Sequence, residues 1–530
     1  MRKLRLVLIF LALGSAALVL WVKFTHPAPP PPTAERLSSP ATPFDSARAA
    51  TSAGVPAGDH RALLTLLRSR LRKRDAREQE ALLAFADAAA RERFLARAAA
   101  AGLTVLGSLE GLNTVRVRYA SLDDLARELQ AHAGDYAEVG ANALVRVPAP
   151  PPEAQERAAR LSVPVGDRLL QILEATGDNS AWGRGVTIAI LDSGVAADTT
   201  FGSGRLRTLD VGQGTRPGTA ATAAAESRGV APSADLLSIR VTDAAGVSDT
   251  FTVAQAIVAA ADAGARVINV SLGTYQSSSL LTQAIDYAYA QGAVIVAAAG
   301  NDQAAQLAWP AADPRVVSVG ATDARGEQVL FSNSGDQLKL TAPGYGITTA
   351  GAEEQLISFS GTSASAPVVA GAIAALMSAT PNLTAAQAVD ILQTHASDAG
   401  PAGADADYGQ GVLNLGWSLA RLDPTRTDTA IASQAYAPAS GALSVVVQNR
   451  SARPAAGLTL TVDVGGTASQ ATISWLDAGA STTLTVQVDT ARLREQGHLP
   501  VRSDLANTTG ITDAVPANNQ RTGVITAPVD

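Results

Sequence analysis

Between Trp182 and about Leu415, short runs of consecutive apolar residues alternate with stretches of helical periodicity. The runs at 186–191, 236–241, 267–273 and 294–297 lack the polar alternation of a strand with one wet face. Strands buried on both faces belong in a parallel sheet covered by helices, here predicted at 253–263 and 280–291. The fold class is therefore α/β, a doubly wound parallel sheet. Functional groups in such sheets gather at the carboxyl ends of strands. Asp192, the tract Ser271-Leu272-Gly273 and Asn301 all fall at such ends. Ser363, in Gly361-Thr362-Ser363-Ala364-Ser365-Ala366-Pro367, opens an apolar helix predicted to about Ser378, which sets its hydroxyl at the positive end of a helix dipole.

Two other patterns flank this core. Residues 81–148 read β-α-β-β-α-β, with Ser121 capping the second helix, which predicts a small ferredoxin-like α+β domain. Leucines at helical spacing among arginines predict an amphipathic helix over 59–78 just before it. Residues 428–530 carry alternating runs at 442–447, 458–462 and 482–488 without long helices, an all-β sandwich.

The N-terminus has Arg2, Lys3 and Arg5 before an apolar run from Leu6 to Val22 that Lys23 closes. Its length is at the short end of what spans a bilayer, and the basic flank places the bulk of the chain outside the cytoplasm. A cleaved signal peptide is the alternative, although Trp21-Val22-Lys23-Phe24 stands where small residues should precede the cut. The Pro-rich stretch that follows is a semi-rigid spacer. A net charge of −7 gives a nucleic-acid partner no electrostatic support, and the absence of cysteine excludes thiol catalysis and disulfides.

Five tracts together resemble the subtilisin-like serine protease family over about 182–415. Ile190-Leu191-Asp192-Ser193-Gly194 is similar to its aspartate motif, and Gly229-Val230-Ala231-Pro232 to the turn after its histidine helix. Ser271-Leu272-Gly273 is similar to its substrate wall, Ala298-Ala299-Gly300-Asn301 to its oxyanion asparagine, and the Ser363 tract to its nucleophile. The resemblance implies Ser363 as nucleophile, Asp192 as orienting acid and Asn301 as oxyanion donor, with Ser271, Leu272 and Gly273 binding substrate. It also implies that residues 81–148 are an inhibitory propeptide, laying its last strand in the cleft and released by self-cleavage around 147–165. The tail resembles bacterial adhesion-type immunoglobulin-like modules.

One part is missing. The five histidines are His26, His60, His132, His395 and His498, and none lies between Asp192 and Ser363. The family's histidine position falls on Pro217, in Pro217-Gly218-Thr219, or on Gln213, in Gln213-Gly214-Thr215. Proline is favoured at the first helical position, whereas the second register would bury Pro217 inside the helix at about 3 kcal/mol. Neither residue is a base at neutral pH, and the five histidines read as surface residues. A serine hydroxyl without a base is a weak nucleophile.

The expected organisation is an anchor or signal at 1–25, a linker at 26–58, a propeptide-like domain at 59–150, a peptidase-like domain at 151–425 and an immunoglobulin-like module at 428–530. The expected function is a membrane-anchored pseudoprotease of the bacterial envelope, or a secreted one if the N-terminal segment is removed, holding a peptide or protein segment in its cleft. The alternative is an active serine endopeptidase whose base comes from elsewhere. No cofactor is indicated. Asp243 and Asp249 are plausible oxygen donors to calcium without diagnostic spacing, and no other metal ligand set stands out.

Overall fold

The computed structural model describes residues 55–56, 65, 69, 75–194, 204–211, 227–243, 245–350 and 356–527. The expected anchor, most of the linker, and both Gln213 and Pro217 lie outside the described residues.

In the N-terminal part, β1 (Ala76–Phe85), α1 (Ala88–Arg97), β2 (Leu103–Leu109), β3 (Thr114–Tyr119), α2 (Leu122–Ala131) and β4 (Tyr136–Arg146) follow in turn. The antiparallel sheet runs β4-β1-β3-β2. Ser121 caps α2, its Oγ accepting from the Asp124 amide, as its sequence position predicts. Phe85, Phe94, Leu125, Leu129 and Val139 form the core beneath the helices.

Two expectations change here. The helix expected over 59–78 cannot reach Glu78, because Ala76 to Glu78 already belong to β1, where Ala76 pairs with Ala143. Gln79 takes a left-handed conformation (φ 56°) within an irregularity of that register, so extended pairing replaces helical periodicity. The linker also ends before 58, since Val55–Pro56 pairs with Val139 and Glu138.

After α3 (Pro152–Leu161), the central sheet has seven parallel strands: β5 (Thr187–Asp192), β6 (Leu206–Asp210), β7 (Asp235–Arg240), β9 (Val267–Val270), β10 (Val294–Ala298), β11 (Val317–Thr322) and β12 (Leu340–Pro343). The short β8 (Val247–Asp249) lies outside that sheet. Its order is β12-β11-β10-β9-β5-β7-β6, so the direction of winding reverses between β5 and β9. Helices α4 (Thr250–Asp262) and α5 (Ser279–Ala290) share one core with one face. Helix α6 (Thr362–Ala379) and α7 (Ala385–Thr394) share the core on the other. Among the described residues α6 is the one helix long and apolar enough to cross a membrane, but 83% of its window is buried and it is the centre of this core.

The tail folds into two antiparallel sheets, β13 (Thr429–Ala437), β14 (Ala442–Asn449) and β17 (Ser481–Gln487) in one, and β15 (Ala455–Val464), β16 (Thr467–Leu476), β18 (His498–Asn507) and β19 (Gln520–Thr526) in the other. Val445, Val447, Leu458, Leu460 and Val501 meet between them. An arginine fastens the tail to the α/β part. Arg450, 4% exposed, forms an ion pair with Glu174 at 2.8 Å, donates to Ser397 Oγ at 2.8 Å and lies over the Trp417 ring.

Candidate active site

The expected site residues converge at the carboxyl ends of three adjacent strands and the start of α6. Asp192 ends β5, Ser271 to Gly273 follow β9, Asn301 follows β10, and Ser363 is the second residue of α6. Asp192, Ser271, Leu272, Asn301 and Ser363 are all buried.

Asn301 is oriented from behind. Its Oδ1 accepts from the Thr362 amide and the Thr362 hydroxyl, both at 2.9 Å, and the Gly300 amide donates to Thr362 Oγ1 at 3.2 Å. This close approach requires glycine at 361, where φ is +148° and a Cβ would stand 3.1 Å from Asn301 Nδ2. Asn333 holds the loop, its Oδ1 accepting from the Asp302 and Ala304 amides at 2.9 Å. Asn333 Nδ2 donates to the Tyr275 hydroxyl, which itself donates to Asp302. With its carbonyl so engaged, the Asn301 amide nitrogen points into the cleft.

The cleft is filled. Asn301 Nδ2 donates to the carbonyl of Pro148 at 3.0 Å. Upstream, Leu144, Val145 and Arg146 pair antiparallel with Asp249, Ser248 and Val247 of β8. On the other side Arg146 and Gly273 exchange both backbone hydrogen bonds, at 2.9 and 2.8 Å. The strand at the end of β4 thus lies between two walls.

Ser363 Oγ donates to the Ser271 carbonyl at 3.5 Å, a long contact. Asp192 Oδ1 accepts from the Ser193 amide at 2.6 Å and from the Ser193 hydroxyl at 3.0 Å. Burial pushes the Asp192 carboxyl above the usual carboxylate range, and the two Ser193 donors offset this only in part.

The described histidines lie elsewhere. His132 ends α2 beside Glu128, and His498 is exposed at the start of β18. His395 departs from the expected surface placement: it is half-buried at the end of α7, its Nδ1 2.8 Å from the Ile391 carbonyl and its ring edge-on to Trp417. His26 and His60 are outside the described residues.

Asp249 is not available to a cation. Its Oδ1 caps α4 by accepting from the Thr252 amide and hydroxyl at 2.9 Å, and its Oδ2 faces Arg77 at 3.0 Å and Arg116 at 3.4 Å. Asp243 Oδ1 accepts from the Ala245 and Val247 amides. Among the described residues, no group of three or more acidic, histidine or cysteine side chains is arranged to hold a metal ion.

The sequence pointed to the residues of one wall and missed the other. β8 is three residues long, too short to show a period, although Asp249 before Thr250-Phe251-Thr252 is readable as a helix cap. Thr362 and Asn333 carry no sequence signal for their support of Asn301.

The Subtilase family model matches residues 183–411. Subtilisin DY of Bacillus licheniformis is 35% identical over 251 residues, 44% of this chain and 90% of that protein. Subtilisin Savinase of Lederbergia lenta is 33% identical over 266 residues, 48% of this chain and 97% of its own length. The crystal structure of the epidermin leader peptide processing serine protease from Staphylococcus aureus aligns with a TM-score of 0.54 at 20% identity, covering 65% of this chain and 98% of that one.

Proposed function

The chain belongs to the subtilase family, and from that premise we propose that it is a pseudoprotease, a subtilase that holds an extended segment in its cleft without cutting it. The observation that carries this reading is the set of partners around the serine. Among the described residues Ser363 Oγ has a backbone carbonyl beside it, Asp192 has Ser193, and no histidine joins them. Acyl transfer needs a base to take the hydroxyl proton as oxygen attacks, and a backbone carbonyl does not do this. In subtilisin itself, loss of the histidine alone costs on the order of 10⁶ in turnover. What remains is binding by strand addition and a donor facing the carbonyl, and neither needs a histidine.

In this reading Asn301 and Gly273 fix a peptide's register, β8 supplies the second wall, and Ser363 and Asp192 stay as parts of the fold. The β4-β1-β3-β2 order supports the ferredoxin-like, propeptide-like assignment of residues 59–150. The paired sheets after 428 support an immunoglobulin-like module. The basic and apolar N-terminal sequence supports a single-pass anchor in a bacterial inner membrane with the bulk of the chain outside the cytoplasm, or secretion if it is removed.

The test is intact mass of the purified chain together with labelling by a fluorophosphonate. A pseudoprotease runs as one polypeptide and leaves Ser363 unlabelled. Severance near Pro148 with labelling at Ser363 favours the second reading, an active serine endopeptidase with a base supplied from elsewhere. The observation on that side is the carbonyl already seated against Asn301.

A further inference from the structure

The tail sandwich is closed along one flank and open along the other. On the closed flank β13 and β19, each the last strand of its sheet, are tied across the gap. Arg521 of β19 donates to the Ala432 carbonyl of β13 at 2.7 Å, and Ser503 Oγ of β18 donates to Gln434 of β13 at 2.6 Å. Ile431 on β13 and Ile525 on β19 are buried in the shared core. β13 also shifts register between Ile431 and Ser433, an irregularity that spoils an edge for further pairing.

The open flank ends in β16 and β17. Among the described residues β16 pairs with β15 alone and β17 with β14 alone. β16 keeps its register with β15 from Thr467 to Leu476 without a shift. From Gly465 to Gln487 the single charged residue is Asp477, in the turn between the two strands, and there is no proline. The usual protections of a free edge are therefore missing from β16, which is ten residues long, uncharged, unbulged and without proline. The core shows at this flank. Ile473 and Leu484 pack against it but are only half-buried, whereas Leu458 and Val445, their partners on the next strands inward, are fully buried.

Trp475 adds a third feature. Its side chain lies at the edge, the residue is 61% exposed, and its indole N–H already donates to Asp477 Oδ1 at 2.8 Å, which leaves an apolar ring with its polar need met. At the other end of the strand the turn from β15 is Gly465-Gly466, where the Arg492 guanidinium donates to the Gly465 carbonyl at 2.6 Å. An antiparallel partner identical to β16 brings these two ends together. Each Trp475 ring then meets the glycine turn and the Arg492 cation of the other copy. A two-fold axis makes that contact twice, and no like charges meet along the strands.

We propose that β16 is a dimerisation edge: two copies of this chain pair β16 antiparallel to β16, joining their four-stranded sheets into one continuous sheet. Strand addition uses the unpaired N–H and C=O groups that a free edge presents. The second copy is the occupant because the strand complements itself, uncharged throughout and bulky at the end that meets glycine on reversal. The inference concerns the tail alone and does not depend on what Ser363 does.

The chain has no cysteine, so single cysteines report this contact without background. The full chain, purified in detergent, is prepared with Ala468→Cys, Gln470→Cys or Thr472→Cys on β16, and with Thr522→Cys on β19 as control, all at exposed positions. Each is oxidised with copper phenanthroline. Opposed residues of antiparallel strands stand about 4.5–5.5 Å apart at Cα, within disulfide reach. At least one β16 position is expected to give disulfide dimer at least ~10-fold faster than Thr522→Cys, because pairing raises the effective concentration of the thiols. Adding Trp475→Ala is expected to slow that crosslink by ~10-fold. Crosslinking no faster on β16 than at Thr522→Cys overturns the proposal, as does a rate untouched by Trp475→Ala. A chain that sediments as a monomer while its β16 amides resist hydrogen exchange also overturns it, since another segment of the same chain then covers the edge.

Discussion

The side-chain amide of Asn301 donates to the backbone carbonyl of Pro148 at 3.0 Å, which joins the turn after a central strand to the last residue of a segment from another domain. The same side chain accepts two bonds from Thr362, so it links the occupant of the cleft to the first residue of α6. Replacing Asn301 by Ala removes the donor and leaves the buried Thr362 amide without its acceptor. The expected loss is about 1–3 kcal/mol, read as a lower urea midpoint with an unchanged slope.

Arg450 holds the tail to the peptidase-like part. Arg450→Met leaves Glu174 with its carboxylate mostly buried and its partner gone. Breaking a buried pair costs about 3–5 kcal/mol, whereas removing both charges is far milder. The double variant Arg450→Met/Glu174→Gln is therefore expected to regain most of the stability lost by the single one, measured by urea unfolding.

Asp192→Asn is expected to stabilise the protein at neutral pH. The folded carboxyl has its pKa raised by burial, so its ionised form is disfavoured at every pH above the unfolded value of about 3.9. The gain should be present at pH 7 and vanish as pH falls below about 4, where both states hold the proton. Thermal melts of the two proteins across that range decide it. Equal melting points at pH 7 would sink the argument.

His395 works in the opposite direction. Burial lowers its pKa, against the smaller opposing effect of the Ile391 carbonyl. Its contribution to stability is fully present above the ordinary histidine value of about 6.5 and is lost as pH falls through the lowered one, because the unfolded chain takes the proton first. His395→Phe keeps an aromatic edge against Trp417 and removes the titration. The loss of stability on acidifying from about pH 6.5 is expected to be smaller in this variant.

The legible elements were those whose signal is local. The Ser121-capped helix and the apolar runs at 236–241, 267–273 and 294–297 carry such a signal, and the structure has a helix at Leu122–Ala131 and strands at Asp235–Arg240, Val267–Val270 and Val294–Ala298. β11 and β12 were not read, because Ser318, Gly320, Thr322 and Thr341 interrupt their apolar character. Of these, Ser318 and Thr341 are buried and supported by distant partners, the Gln337 carbonyl 2.6 Å from Ser318 Oγ and the Gly411 carbonyl 3.2 Å from Thr341 Oγ1.

The sequence alone determined the parallel α/β core, the chemistry-bearing residues at its strand ends, and the lack of any histidine between Asp192 and Ser363. Identity and periodicity are properties of the chain itself. Tertiary structure alone decided that Pro148 faces Asn301, that Arg77 and Arg116 close on Asp249, and that Arg450 pins the tail to Glu174. Each of these pairs lies far apart along the chain, so its partners meet only when burial of separate apolar faces brings their backbones together.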